Sequence, residues 1–457
     1  MLLAVTLPGR VAGQEAFAPV DTLTREMLAW SGHRSLGELI QTLYPAFQAT
    51  FPAAAGGAEQ LPPFRLFGSG ADQALVLVNG RRRLPSPLLP GGEVAGRGQP
   101  ISDLDAIPLL AIERIEITRG SAARFGDGAV GAVINIVLAD SLADALHGTA
   151  GLSSGGDPSA RAGATRTARL AGAQAALTVE LGFQGAGNSA RPDPRSQYFS
   201  GDPRNEDPAV RDRVTSRYGE PGVREGRAAV QLGRRLGRST SAYGEAVWSR
   251  RSGESGERFR IAADDRTVRT LYPDGFLPLL RPRFTEGSLL GGLRGGALGD
   301  ALGWDAWVGY ARSSVRLLVD ETANASLGPV SPVRFESGTL RADQFSAGLN
   351  ARGHWRAGPL PLWLDAGVEY RSDGFEQQPG EPDSYRHGGV PVLDGPNTGR
   401  PTEPGAQGLP GIRPEEAVIA RRGSLSGFAG FAIEPVRRVS LGATGRLVHS
   451  GRGGTDG

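Results

Sequence analysis

The residues whose spacing first suggests chemistry are three glycines, Gly126, Gly128 and Gly131, in the stretch RFGDGAVGAVINIV at 124–137. Gly-x-Gly-x-x-Gly is the spacing of a dinucleotide-binding loop, where a strand feeds the glycines and a helix begins on them. The pyrophosphate then rests on the free N–H groups of that helix start. Here the glycines are followed by Ala132-Val133-Ile134-Asn135-Ile136-Val137-Leu138. A run so rich in β-branched side chains makes a strand and a poor helix opening. The glycines therefore join two strands, and a nucleotide-dependent oxidoreductase is not the expected reading.

Other site chemistry is limited by composition. The chain has no cysteine, which removes disulfides, thiolate metal sites and cysteine nucleophiles. Its five histidines are scattered with no HxxxH or HExxH, so a zinc enzyme is not expected. The formal net charge is +2, no lysine occurs, and no dense arginine block marks a nucleic-acid surface. The all-arginine usage reads first as a GC-rich coding sequence, and second as a preference for permanently charged, bidentate partners.

The elements around the glycines form a small mixed α/β unit over 17–140. Pro19 to Thr24 reads as extended, and Thr24 to Trp30 and Ser35 to Tyr44 as short helices, the second opened by a Ser35-x-x-Glu38 capping box. The strand ALVLVNGRRR carries Asn79-Gly80, a strong tight-turn signal. Ile112, Ile115 and Ile117 supply the apolar positions of a strand whose polar positions are Glu113, Arg114, Glu116 and Arg119. The strand AVINIVL is expected to pair back on it.

Beyond Asp140 the texture changes to period-two alternation, in a chain where 68 Gly and 33 Pro favour turns. Leu177, Val179, Leu181 and Phe183 share one face against Thr178, Glu180 and Gly182. Leu362, Leu364, Ala366, Val368 and Tyr370 oppose Trp363, Asp365, Gly367, Glu369 and Arg371. Phe345 to Trp355 has a polar side of Ser346, Asn350, Arg352 and His354, and Trp304, Ala306, Val308 and Tyr310 form another apolar face. Tight connections fall near 171–172, 236–237, 299–300, 358–359 and 434–435, and long polar loops near 187–225, 251–285, 319–342 and 377–422. About eleven strands of about ten residues or more, with short turns at one end and long loops at the other, are the pattern of an outer-membrane β-barrel. No apolar run reaches the roughly eighteen residues of a membrane helix. The first sixteen residues, 1–16, resemble the end of a secretory signal that lacks its positive start.

The first unit resembles the plug domain of TonB-dependent outer-membrane receptors. The resemblance rests on PVDTLTREMLAWSGHRSLGELIQTL (19–43), QALVLVNGRRR (73–83) and IPLLAIERIEITRGSAARFGDGAVGAVINIVL (107–138). Two later stretches, AGVEYR (366–371) and SGFAGFAIEPVRRVSLGATGRLVHSG (426–451), look like barrel strands of that family. The resemblance implies a plug over 17–140 and a partial barrel over 141–457. Its plug signature falls on Asn79, Gly80, Arg81, Gly120, Gly126, Gly131 and Asn135. It also implies that Glu113, Arg114, Glu116 and Arg119 pair with charges lining the barrel. The function implied is uptake of a scarce nutrient of siderophore, cobalamin or saccharide type, in the outer membrane of a Gram-negative cell. TonB would be the energy-transducing partner, the outer-membrane lipid the surroundings, and a small nutrient the ligand. GQEAFAPVDT shows no clear TonB box.

The fold expected is thus a small α/β plug followed by an incomplete antiparallel transmembrane β-barrel, about 11 of an expected 22 strands. Geometry gives the reason. A plug of about 120 residues has a radius of about 17 Å, whereas eleven tilted strands close to a radius of only about 11 Å. Eleven strands cannot enclose this plug, so the chain is expected to be the N-terminal part of a receptor. The alternative is a non-transporting, plug-type binding module with vestigial strands.

Overall fold

A computed structural model describes residues 20–456 except 30–34, 51–57, 92–95, 120–123, 127–130, 154–155, 187–195, 214, 218–219, 298–300, 359, 437–438 and 452–454. The expected leader at 1–16 and Gly120 lie outside the described residues.

The first unit begins with β1 (Val20–Thr24), α1 (Arg25–Ala29) and α2 (Leu36–Leu43). Ser35 caps α2, its Oγ accepting from Glu38 N at 3.4 Å. The apolar face of α2 is fully buried at Leu36, Leu39 and Ile40. A small sheet of β2 (Phe47–Ala49), β3 (Phe64–Leu66) and β4 (Ser69–Gly70) follows. The main sheet adds β5 (Ala74–Val78), β6 (Arg81–Arg82), β7 (Ile112–Arg119) and β8 (Ala132–Leu138), in the order β1-β7-β8-β5-β6. β7 and β8 pair antiparallel, as the sequence suggests, while β5 and β8 run parallel with Val76 opposite Ile134. Ile115, Ile117, Ile134 and Ile136 fill the core with Phe47, Leu61 and Ile107. Each such side chain contributes roughly 1.5–3 kcal/mol by leaving water.

The rest of the chain makes one antiparallel wall. Its strands are β9 (Ala145–Leu152), β10 (Pro158–Leu170), β11 (Ala173–Gln184), β12 (Gly222–Arg235) and β13 (Thr240–Gly256). They continue through the two-residue β14 (Leu279–Leu280), β15 (Arg283–Ala297), β16 (Leu302–Asp320), β17 (Arg334–Ala357) and β18 (Leu360–Pro379). β19 (Val418–Val436), β20 (Val439–Ser450) and the two-residue β21 (Thr455–Asp456) complete the thirteen-stranded sheet. Leaving out β14 and β21, eleven strands remain, the number the alternation predicts. Among the described residues β9 pairs only with β10, and β20 only with β19, so the wall has two open ends.

Side-chain parity divides the wall into two faces. Leu177, Val179, Leu181 and Phe183 are exposed on one side of β11, while Thr178 and Glu180 are buried on the other. On β18, Leu364, Val368 and Tyr370 are exposed and Asp365 and Arg371 buried. An apolar outer face over a polar inner one is what lipid outside and a lumen inside require. The connection at Ala171-Gly172 has φ +50° and +77°, the twist that suits a two-residue hairpin. β19 runs past the expected connection near 434–435 to Val436, through a register irregularity between Ile433 and Val436, and β20 begins at Val439. Pro435 sits within that irregularity, where the ladder asks for no N–H.

The strands are longer than expected at the long-loop end, reaching 24 residues in β17. There the loops pack on one another. Asn324 Nδ2 donates to the carbonyls of Asp383 and Arg386 at 2.9 Å each, and Ser326 Oγ donates to Asn324 Oδ1 at 2.7 Å. Thr322, Asn324 and Ser326 are completely buried, so this polar knot ties two loops that the sequence leaves separate.

Candidate functional site: the seat of the plug in the wall

The Asn79-Gly80 turn, with φ +48° and +78°, carries the first point of contact. Asn79 Nδ2 donates to Gln231 Oε1 on β12 at 3.2 Å and to Glu245 on β13. Its Oδ1 accepts from Leu138 N at 2.9 Å, which fixes the amide's orientation. Gly80 N donates to Asn135 Oδ1 at 2.8 Å, and Asn135 Nδ2 donates to Glu116 Oε2 at 2.9 Å. Glu116 Oε1 in turn accepts from Arg114 Nε at 2.8 Å. Five of the residues singled out in the sequence thus form one hydrogen-bonded chain ending at the wall.

Arg81 makes the second contact. It pairs with Asp305 on β16, and its guanidinium lies 4.5 Å from the centre of the Trp307 ring. Tyr243 Oη donates to the other oxygen of Asp305 at 2.7 Å. A planar cation that both stacks and hydrogen-bonds is a role for arginine that lysine does not fill.

Glu113, Arg114, Glu116 and Arg119 are expected to reach barrel charges; the contacts described for them are with plug residues. Glu113 pairs with Arg25 at 3.2 Å, Arg114 with Glu116, and Arg119 lies over the Phe67 ring at 5.0 Å. All of these contacts lie within the plug. Glu116 and Thr118 are buried.

The glycines serve the backbone. Gly126 has φ +148°, a conformation other residues adopt only with strain. A Cβ at Gly131 would collide with the Ser69 side chain. Close approach of β8 to β4, and no nucleotide, explains the motif.

Further wall contacts come from residues that sequence reasoning left unassigned. Asp103 accepts two bonds from Arg251 on β13, at 3.2 and 2.6 Å, and Arg251 also donates to the Gln60 carbonyl at 2.9 Å. Arg83 pairs with Glu286 on β15. Leu110 N donates to Glu180 Oε1 on β11 at 2.6 Å. Arg124 faces Asp365 at 3.6 Å, and Asp365 also holds Arg352 at 2.9 Å. Burial, with Arg352 close by, lowers the Arg124 guanidinium to about 10. Glu180, Asp365 and Arg352 stand on the polar faces already identified, so wall parity was the available signal for them. Apolar contact adds to the seat. Ala229 and Val247 of the wall join the plug core, and Leu88 packs on Phe284, Val315, Leu317 and Leu340.

A mixed sheet seated by buried charges against the polar face of a lipid-facing β-wall defines a plugged outer-membrane barrel protein. Residues 13–133 match the family model described as TonB-dependent Receptor Plug Domain. The N-terminal unit thus matches the plug of TonB-dependent receptors, and the wall that follows it has the fold of an incomplete, plugged β-barrel. The chain is 32% identical over 127 residues to the vitamin B12 transporter BtuB of Photobacterium profundum, a match covering 28% of this chain and 18% of that one. It is 30% identical over 163 residues to the ferric enterobactin receptor PirA of Pseudomonas aeruginosa, covering 35% and 21%. These matches therefore span about a fifth of the length of either relative.

Among solved structures, a point mutant of the ferric enterobactin receptor PfeA from Pseudomonas aeruginosa superposes with a TM-score of 0.66 at 20% identity. That likeness covers 98% of this chain and 60% of the other. The siderophore receptor PirA from Acinetobacter baumannii gives 0.61 at 17% identity, covering 95% and 57%. These likenesses show the fold, in which the plug and wall described here span somewhat over half of each solved chain.

Proposed function

We infer that this chain acts in TonB-dependent uptake of a scarce nutrient of siderophore, cobalamin or saccharide type across the outer membrane. The plug comprises 17–140 and the wall 141–457, with a short leader at 1–16. The observation that carries the reading is the seat itself. Polar and ionic contacts from Asn79, Arg81, Arg83 and Asp103 reach β12, β13, β15 and β16, and a vestigial set of strands has no reason to keep them. Such contacts hold a stopper firmly yet break one at a time, which suits a plug that must be displaced. The seat residues Asn79, Gly80, Arg81 and Asn135, with Glu113, Arg114, Glu116 and Arg119 as its internal brace, hold the plug closed. Gly126 and Gly131 shape its turn. The partners are the TonB protein, outer-membrane lipid and a small nutrient.

The test is uptake by cells that express the protein in place of their own receptors. Saturable accumulation of labelled ferric siderophore, cobalamin or oligosaccharide that disappears in cells lacking TonB is expected. Accumulation independent of TonB would overturn the coupling, and none for all three classes would overturn the uptake role.

A further inference from the structure

Three arginines stand together on the outer face of the wall, toward its long-loop end. Arg224 on β12 and Arg250 on β13 are exposed, and Arg283 on β15 is half-buried. Strand parity settles their side. Arg224 shares the parity of Leu232, Arg250 that of Trp248 and Arg283 that of Leu289, all exposed, whereas Arg227, Arg251 and Glu286 of the other parity are buried. The register makes the three diagonal neighbours. Arg224 is opposite Ser252, two residues from Arg250, and Arg250 is opposite Thr285, two residues from Arg283. Diagonal positions across a sheet are about 7–8 Å apart, within reach of long side chains.

Like charges this close repel unless a counter-charge lies between them. Farther round the same face arginines have one, Arg316 in Glu336 and Arg341 in Glu376 at 3.4 Å. Among the described residues Arg224, Arg250 and Arg283 have no ion pair, and Arg224 lies only over the Phe183 ring at 5.9 Å. Glu254, the one carboxylate of this parity on the three strands, is held by Arg217 at 2.7 Å and Arg281 at 2.8 Å. The neutralising charge is therefore left to come from outside the chain.

Position narrows its source. Arg283 is six residues from Leu289 along β15. At about 3.3 Å per residue and a tilt of about 40°, that is about 15 Å along the membrane normal, just past half the height of an apolar band about 25 Å tall. Long loops mark the outer side, so the arginines meet the headgroups of the outer leaflet. Closer to mid-depth lie Leu181, Trp248 and Leu289. The Trp248 ring passes 3.9 Å from where a Cβ would stand at both Gly226 and Gly287, so it lies flat across the wall and leaves an even apolar surface. Arginine grips phosphate through paired planar donors and is weakly enough hydrated to do so at an interface. Three such cations exceed what one singly charged phosphate neutralises.

We propose that Arg224, Arg250 and Arg283 form a binding site, on the outside of the wall, for an outer-leaflet lipid that carries two phosphates on one headgroup. The phosphates meet the guanidiniums, and the acyl chains lie on Leu181, Trp248 and Leu289. This goes beyond the uptake reading and does not depend on it.

The test uses the full chain in detergent, mixed with bisphosphorylated lipid A, monophosphorylated lipid A or phosphatidylglycerol, and weighed as intact complexes by native mass spectrometry. One bisphosphorylated lipid A per chain should bind at least tenfold more tightly than either other lipid. Combining Arg224→Gln, Arg250→Gln and Arg283→Gln should weaken it at least tenfold, with the urea midpoint in phosphatidylcholine vesicles unchanged, because these side chains have no carboxylate partner in the fold to lose. Arg250→Gln alone, which removes the central cation, should weaken it at least threefold. Arg234→Gln with Arg235→Gln, at the exposed short-turn end of β12, removes charge far from the site and should leave binding as in the wild type. Equal binding of all three lipids, unchanged binding by the triple variant, or an equal loss in the Arg234 and Arg235 variant would each overturn the proposal. Binding of no lipid would overturn it too, and would leave the uptake reading to its own test in cells.

Discussion

Asp103 on the plug and Arg251 on β13, 148 residues apart in the chain, are joined by two hydrogen bonds at 3.2 and 2.6 Å, with both side chains buried. A buried pair of this kind costs much to break and little to replace as a whole.

That asymmetry gives the first prediction. Arg251→Met leaves a buried carboxylate without its cation and should destabilise the seated plug by about 3–5 kcal/mol. The double variant Asp103→Leu with Arg251→Met should recover most of that loss. Urea midpoints for exposure of plug amides, read by hydrogen exchange in nanodiscs, measure both. Equal loss in the single and double variants would show that the pair is not a unit.

Asp105 supplies a pH dependence. Its Oδ1 accepts from Leu36 N at 2.7 Å, and burial raises its pKa above the ordinary carboxylate value. A raised folded pKa means that the stability linked to the protonated form is full below the unfolded value of about 3.9 and is lost as pH rises through the folded value. Asp105→Asn keeps an acceptor for Leu36 and cannot ionise. The variant should match the wild type near pH 3.5 and become progressively more stable than it as pH rises. A difference that stays constant with pH, or shrinks as pH rises, would contradict the assignment.

The outer face of the wall makes a separate prediction. Leu289, near the middle of β15, is 65% exposed with its side chain on the lipid side. Leu289→Arg should cost about 2–4 kcal/mol at mid-depth and reduce folding into lipid vesicles, measured by urea titration of the folded fraction. An unchanged titration would mean that this face does not meet hydrocarbon.

Much of this architecture was legible because two-residue periodicity survives in long strands with lipid on one side. Leu177 to Phe183 and Leu362 to Tyr370 declare their faces unaided. What was not legible depends on pairing between distant segments. Nothing in ALVLV announces a parallel partner in AVINIV. Alternation places the charges on β7 but does not show that Glu116 is buried against Asn135, since it tells which residues share a side and not what covers it. The wall contacts of Arg83 and Asp103 were missed for the same reason. Asn79 was singled out as a turn former, and its amide proved to be a contact as well.

The central claim is that the plug sits against the polar face of the wall, and cross-linking tests it most directly. The chain has no cysteine, so introduced pairs report without background. Asn79 Nδ2 lies 3.2 Å from Gln231 Oε1, whereas the next residue along β12, Leu232, is 49% exposed on the opposite face. Oxidation of intact outer membranes should close a disulfide between Asn79→Cys and Gln231→Cys, seen as a shifted band, and none between Asn79→Cys and Leu232→Cys. Equal cross-linking of both pairs, or a bridge to position 232 alone, would contradict the seat on which the whole account depends.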